Sequence, residues 1–193
     1  MIVQWLIASY KSAAAVTYAT WNPSDKSANI TLSVSNTVAT SSGGSGWYSA
    51  RSTIWKSTWK HYWEITITSG TVWINGIMNS TASLANYAGS DANWYGFYWD
   101  WTSALKFNSG ASSAYGASAP TGTVLWFALD MTGWTLTIYK NNVSQGTMYS
   151  GISWTFFAWC SFLNTSAWSI TANFWATTMA YTAPSWFNQW LYT

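Results

Sequence analysis

The stretch His61-Tyr-Trp-Glu-Ile-Thr-Ile-Thr68 alternates without a break. Trp63, Ile65 and Ile67 fall on one face and Tyr62, Glu64, Thr66 and Thr68 on the other, the period of two expected of a strand with one buried face. Trp134-Thr-Leu-Thr-Ile-Tyr-Lys140 repeats the pattern with Leu136 and Ile138 inward, and Trp168-Ser-Ile-Thr-Ala-Asn-Phe174 with Ile170, Ala172 and Phe174 inward. Shorter β-branched and aromatic runs predict strands over 30–32, 37–40, 72–78, 124–130 and 156–163. Asn141-Asn142 between Lys140 and Val143 reads as a two-residue hairpin turn, because Asn tolerates positive φ. Gly43, Gly44 and Gly46 mark one loop, and the Ala/Ser-rich segment from Gly110 to Gly122 a second, longer one. Helical periodicity is scarce and no period of 20–50 residues recurs, which excludes solenoids and propellers. The expected fold is all-β, an antiparallel β-sandwich of two curved sheets.

The 193 residues carry seven basic and five acidic side chains, 6% charged in all, where a soluble domain carries about 25%. No basic stripe forms, so nucleic acid is excluded as a partner. Aromatic residues make up 20% of the chain, which argues against disorder. No apolar run approaches the ~20 residues of a membrane-crossing helix, and Met1 to Lys11 lacks the cationic start of a signal peptide. Residues 1–20 read as a tether or edge segment, and 21–193 as one sandwich domain. After Lys140 no charged residue occurs in 53 positions. That surface suits a virion or extracellular subunit, with homo-oligomer or virion assembly as its partner state, better than a crowded cytosol.

Chemistry is sparse. His61 is the sole histidine, so a histidine metal cluster cannot form, and the position reads as a strand-edge residue. Glu64 and Asp100 are the one carboxylate pair to weigh for glycosidase work, but Glu64 shares a strand face with Thr66 and Thr68. Asp130 reads as a turn cap, Asp25 and Asp91 as loop residues bonding their own backbone. Cys160, between Trp159 and Phe162, reads as a small buried hydrophobe. No phosphate-binding loop is present, and no metal, cofactor or catalytic residue is expected. Trp94-Tyr-Gly-Phe-Tyr-Trp-Asp-Trp101 holds six aromatic residues in eight. It is either a stacking platform for a sugar, with Tyr95 and Tyr98 as its ligand-binding residues, or a core strand.

Several segments, in order, resemble the SPRY domain family, notably its compact phage and bacterial forms. They are Trp21-Asn-Pro-Ser-Asp-Lys26, Ser49-Ala-Arg-Ser-Thr53, Lys60-His-Tyr-Trp-Glu-Ile65, Gly89-Ser-Asp-Ala-Asn93, Lys106-Phe-Asn-Ser-Gly110, Ala128-Leu-Asp130, Thr135-Leu-Thr-Ile-Tyr-Lys-Asn141, Asn173-Phe174 and Tyr181-Thr-Ala-Pro-Ser185. The resemblance covers about residues 21–190 and implies a concanavalin-like sandwich that binds without chemistry of its own. In SPRY adaptors that capture peptides, an Arg leading into a core strand and a loop before the last core strand contribute to the pocket. Arg51 matches the first, and Leu163, Asn164 and Thr165 match the second. The expected function is a non-enzymatic interaction module of a phage virion or bacterial surface protein that recognises a protein or glycan. The alternatives are a concanavalin-like lectin domain and a purely structural fibre or capsid decoration.

The family has glycine where this chain has Trp5, Trp55, Trp59, Trp94, Trp99, Trp101, Trp126, Trp134, Trp154, Trp175, Trp186 and Trp190. A bulky residue forced into a glycine turn costs roughly 1–3 kcal/mol, so twelve such strains would exceed a typical net stability of about 5–15 kcal/mol. A gene translated with UGA as tryptophan, from a host that decodes UGA as glycine, would produce this pattern. Restoring all twelve leaves 25 Gly and 6 Trp, with Trp21 and Trp63 among the retained aromatic anchors.

Overall fold

The quoted stretch forms the body of β5 (Lys60–Ser69), the central strand of the larger of two sheets in the computed structural model. The structure describes residues 16–44, 46–84, 89–100, 102–163 and 167–189. Trp5, Trp101, Trp190, Asn164, Thr165 and residues 1–15 of the expected tether lie outside the described residues.

One sheet has seven strands: β1 (Trp21–Lys26), β4 (Trp47–Lys56), β13 (Phe156–Leu163), β6 (Trp73–Met78), β7 (Trp94–Trp99), β8 (Ala104–Asn108) and β9 (Ala111–Ala114), in that spatial order. The other has eight. It runs β12 (Val143–Ser150), β11 (Thr135–Lys140), β10 (Val124–Asp130), β5, β14 (Ser169–Asn173), β3 (Val38–Ser41), β2 (Ile30–Ser33), with β15 (Asn188–Gln189) pairing in parallel at the start of β5. Every other pair is antiparallel.

The alternating residues meet between the sheets as expected. Trp63, Ile65, Ile67, Leu136, Ile138, Ile170, Ala172 and Phe174 are buried against Phe97, Phe156, Ala158, Cys160 and Phe162. Trp63 stacks on Phe127 with ring centroids 5.1 Å apart. Asn141 and Asn142 turn the β11–β12 hairpin at φ 45° and 70°. Ala19, just before β1, is also buried in this core, and the Thr20 carbonyl accepts from Thr53 N at 2.8 Å.

Three expectations need correcting. The segment from Gly110 to Gly122 is not all loop, since Ala111–Ala114 pairs with β8 as an edge strand; four small exposed side chains give it no alternation to read. Asp25 lies in β1 rather than in a loop, and bonds Arg51 instead of its own backbone. Tyr62 and Glu64, on the solvent side of the β5 alternation, are buried because the chain after β14 folds back over that face.

The free edges β9 and β12 of the two sheets face each other. Lys106 Nζ donates to the Met148 carbonyl at 2.9 Å, and the Tyr115 hydroxyl donates to the Gly146 carbonyl at 2.6 Å. At the opposite edge, β1 and β2 are joined directly by residues 27–29.

Candidate binding site

Turns that follow β5, β7 and β9 gather at one end of the sandwich, the end at which β13 finishes, because the paired strands place Trp73 beside Trp99 and Phe162 beside Trp73. Here a cleft of about 320 Å³ is lined by Gly70, Thr71, Trp99, Asp100, Pro120 and Thr121. Asp100 is a rigid part of its wall. Its Oδ1 accepts from the Thr102 and Ser103 amides at 2.8 and 2.7 Å, and its Oδ2 from the Tyr98 hydroxyl at 2.8 Å. Burial pushes its pKa up, but these hydrogen bonds outweigh that and hold the carboxyl below the usual range, so it is an anion at neutral pH. Burial and the bond to Asp100 push the Tyr98 phenol up to about 12. Beside the cleft, Lys140 Nζ bonds the Ser118 carbonyl. The end therefore offers a fixed carboxylate, hydroxyls and an apolar floor, a set suited to holding a ligand, and no nucleophile–base pair among the described residues.

The residues expected to bind ligand divide across the fold. Tyr98 reaches this end through Asp100, and Leu163, half-exposed at the last position of β13, lies at the same end. Tyr95 does not join them. It points between the sheets, with Tyr149 and Phe156 rings at 4.9 and 5.8 Å, while Tyr98 points to the outer face against Phe107 at 5.5 Å. Residues three apart on a strand cannot share a face, so Tyr95 and Tyr98 do not make one stacking platform.

Arg51 is also committed elsewhere. On the outer face of the seven-stranded sheet its guanidinium pairs with Asp25, donates to the Asn79 and Ser80 carbonyls at 3.1 and 3.3 Å, and lies over the Phe157 ring at 5.4 Å. Its side chain is only 12% exposed. It fastens the segment after β6 to the sheet. Ala82 and Leu84 of that segment pack on Ile74, Met78, Trp94 and Trp159.

Glu64 and Asp100 stand on different sheets and form no catalytic pair. Glu64, 3% exposed, accepts from the Tyr62 hydroxyl at 2.6 Å and from the Ala180 and Tyr181 amides at 2.8 and 2.9 Å. Trp126 is stacked between Tyr139 and Tyr181 under the same strap. His61 is buried with Nε2 against the Thr58 carbonyl, and desolvation lowers its pKa to about 4, so it is neutral at pH 7. Burial pushes the Cys160 thiol well up, leaving it unreactive. Among the described residues no cluster of His, Cys, Asp or Glu could hold a metal ion, and no helix is long and apolar enough to cross a membrane.

Sequence reasoning missed the fixing of Asp100. The signal was available in Asp100-Trp-Thr-Ser103, an Asp followed two and three residues later by amides it can cap.

The chain matches the family model described as SPRY domain over residues 60–175. No curated protein matches it. Among solved structures it is similar to the SPRY domain of human HERC1, with a TM-score of 0.70 and 12% identity over 82% of this chain and 99% of that one. It is similar to the TRIM65 PSpry domain, with a TM-score of 0.68 and 15% identity over 81% and 92%. The stonustoxin structure aligns at a TM-score of 0.59 and 19% identity over 81% of this chain but 27% of the toxin chain. At these identities the structural likeness concerns the fold.

Proposed function

The chain belongs to the SPRY domain family of protein-interaction modules, and from that premise we propose that it is a non-enzymatic module that binds a protein segment at the cleft end of the sandwich. The observation that supports this is the cleft itself: a cavity of about 320 Å³ walled by three turns, with one immobilised carboxylate. Residues 1–20 serve as a tether or edge segment of this domain, whose last residues join the core through Ala19 and Thr20. The setting we propose is a phage virion or a bacterial surface, where a stretch of 53 residues without charge is tolerated because copies are held in an assembly.

A display library of random peptides panned on the immobilised domain tests the reading. Enriched peptides should be lost on Thr121→Trp, which fills the cleft and keeps the parent unfolding midpoint, and on Asp100→Asn, which stays folded at a cost of about 1 kcal/mol. Peptides retained by both variants would move binding elsewhere. The glycan alternative rests on the same polar cleft, not on a Tyr95–Tyr98 platform, and a glycan array that gives signal where peptides give none would favour it.

A further inference from the structure

Four tryptophans have left-handed backbone: Trp59 at φ 71°, Trp134 at 58°, Trp175 at 71° and Trp186 at 72°. All four are among the twelve positions singled out above. The side chain does not explain it. Tyr and Phe have the same branching at Cβ and Cγ, yet none of the described Tyr or Phe residues has positive φ, while four of the fifteen described Trp do. A non-glycine residue there is uncommon, and a bulky one is an outlier. The other non-glycine cases are Asn36, Asn141, Asn142, Ser35 and Ser109, polar turn residues, with Val34 inside the tight turn at 34–36.

The local hydrogen bonds fix these conformations. Phe187 N donates to the Pro184 carbonyl at 3.1 Å, closing a four-residue turn whose third residue is Trp186. A positive φ at that position is the signature of a type II turn, which calls for glycine. The Trp59 carbonyl accepts from Met131 N at 2.9 Å, and the Trp134 carbonyl from Ile152 N at 3.2 Å, so each turn is tied to a neighbouring one and cannot relax. The Asn173 side chain accepts from Trp175 N at 3.0 Å. Nor does burial compensate at three of the four. Trp59, Trp134 and Trp186 are 70%, 48% and 86% exposed. Together with Trp55 and Trp154, these would coat the end of the sandwich opposite the cleft with indoles that pack against little.

We infer that residues 59, 134, 175 and 186 are glycine in the protein as its own host makes it, through UGA codons read as glycine. The inference goes beyond the binding reading and does not depend on it. Trp94, Trp99 and Trp126 lack the signature: their strands are extended and their side chains buried. Trp55 and Trp154 lack it as well.

The codons and the native protein test this. UGA should stand at all four positions, and peptides of protein purified from its source should be lighter at each by the difference between an indolylmethyl group and a hydrogen. UGG codons, or peptides that carry the intact indole, would overturn it. An independent readout is the recombinant triple variant W59G/W134G/W186G, which spares the Trp175 indole and its hydrogen bond to the Tyr62 carbonyl. Its unfolding midpoint should rise by about 6 °C or more over the tryptophan form. Folding of the triple variant where the tryptophan form fails to fold is the same result carried further. An equal or lower midpoint would overturn the conformational argument.

Discussion

Each outer face of the sandwich is covered by a returning segment held by a single charged residue, and the two charges are opposite. On the eight-stranded sheet Glu64 collects two backbone amides from above and the Tyr62 phenol from its own strand. On the seven-stranded sheet Arg51 donates to two backbone carbonyls. An anion fastens a strap by its N–H groups, a cation by its C=O groups. The difference lies in the counter-charge. Arg51 has Asp25 beside it and keeps some contact with water, whereas Glu64 is buried with no cation paired to it among the described residues. Hydrogen bonds from neutral dipoles alone carry the desolvation of that carboxylate, so the strapped face of the larger sheet should be the more fragile of the two.

The largest expected effect is on that face. Glu64→Ala strands the Ala180 and Tyr181 amides and leaves the Tyr62 hydroxyl only the Tyr181 carbonyl at 3.4 Å, and should cost about 3–5 kcal/mol, read as a shift in the urea midpoint with early amide exchange at 180–181. A loss below about 1 kcal/mol would show that Glu64 does not hold the strap. Acid should find the same sheet next. The folded pKa of His61 lies near 4, below the ordinary 6.5, so the unfolded chain takes up a proton first as pH falls. The stability due to neutral His61 is complete above pH 6.5 and is lost towards pH 4, by up to about 3 kcal/mol. His61→Phe should flatten that slope whatever its own cost.

Arg51→Met should cost less, about 2 kcal/mol, since the Asp25 it abandons is one-third exposed and can rehydrate. A cost equal to that of Glu64→Ala would erase the distinction between the faces. Smallest is Tyr98→Phe at the cleft end, about 1 kcal/mol, with the Asp100 pKa moving up by loss of one donor. An unmoved Asp100 titration by NMR would mean that the backbone amides alone hold the carboxylate.

Local alternation located the strands where one face meets the core. Val124–Asp130 and Phe156–Leu163 have the bounds read from sequence, because near-continuous apolar runs end abruptly at Asp130 and at Leu163. β1 escaped notice: Trp-Asn-Pro-Ser-Asp-Lys has the composition of a turn, and its irregular pairing with β4 makes it a tolerant edge strand. The site was less legible for a reason of distance. Glu64 meets amides 116 and 117 positions downstream, and Arg51 meets carbonyls 28 and 29 away. Nothing local distinguishes a strand residue that will be roofed over from one that will face water. Tyr95 and Tyr98 could have been separated in advance, since residues an odd number apart on a strand lie on opposite faces.

The facing edges at β9 and β12 have a mechanical consequence. One side of the sandwich is closed by covalent chain through residues 27–29, and the other by the long side chains of Lys106 and Tyr115 gripping carbonyls of β12. Under tension that parts the sheets, the first side acts as a hinge and the second as a clasp. The domain should open like a book, β12 peeling from its neighbour while the spine at β1 and β2 stays shut.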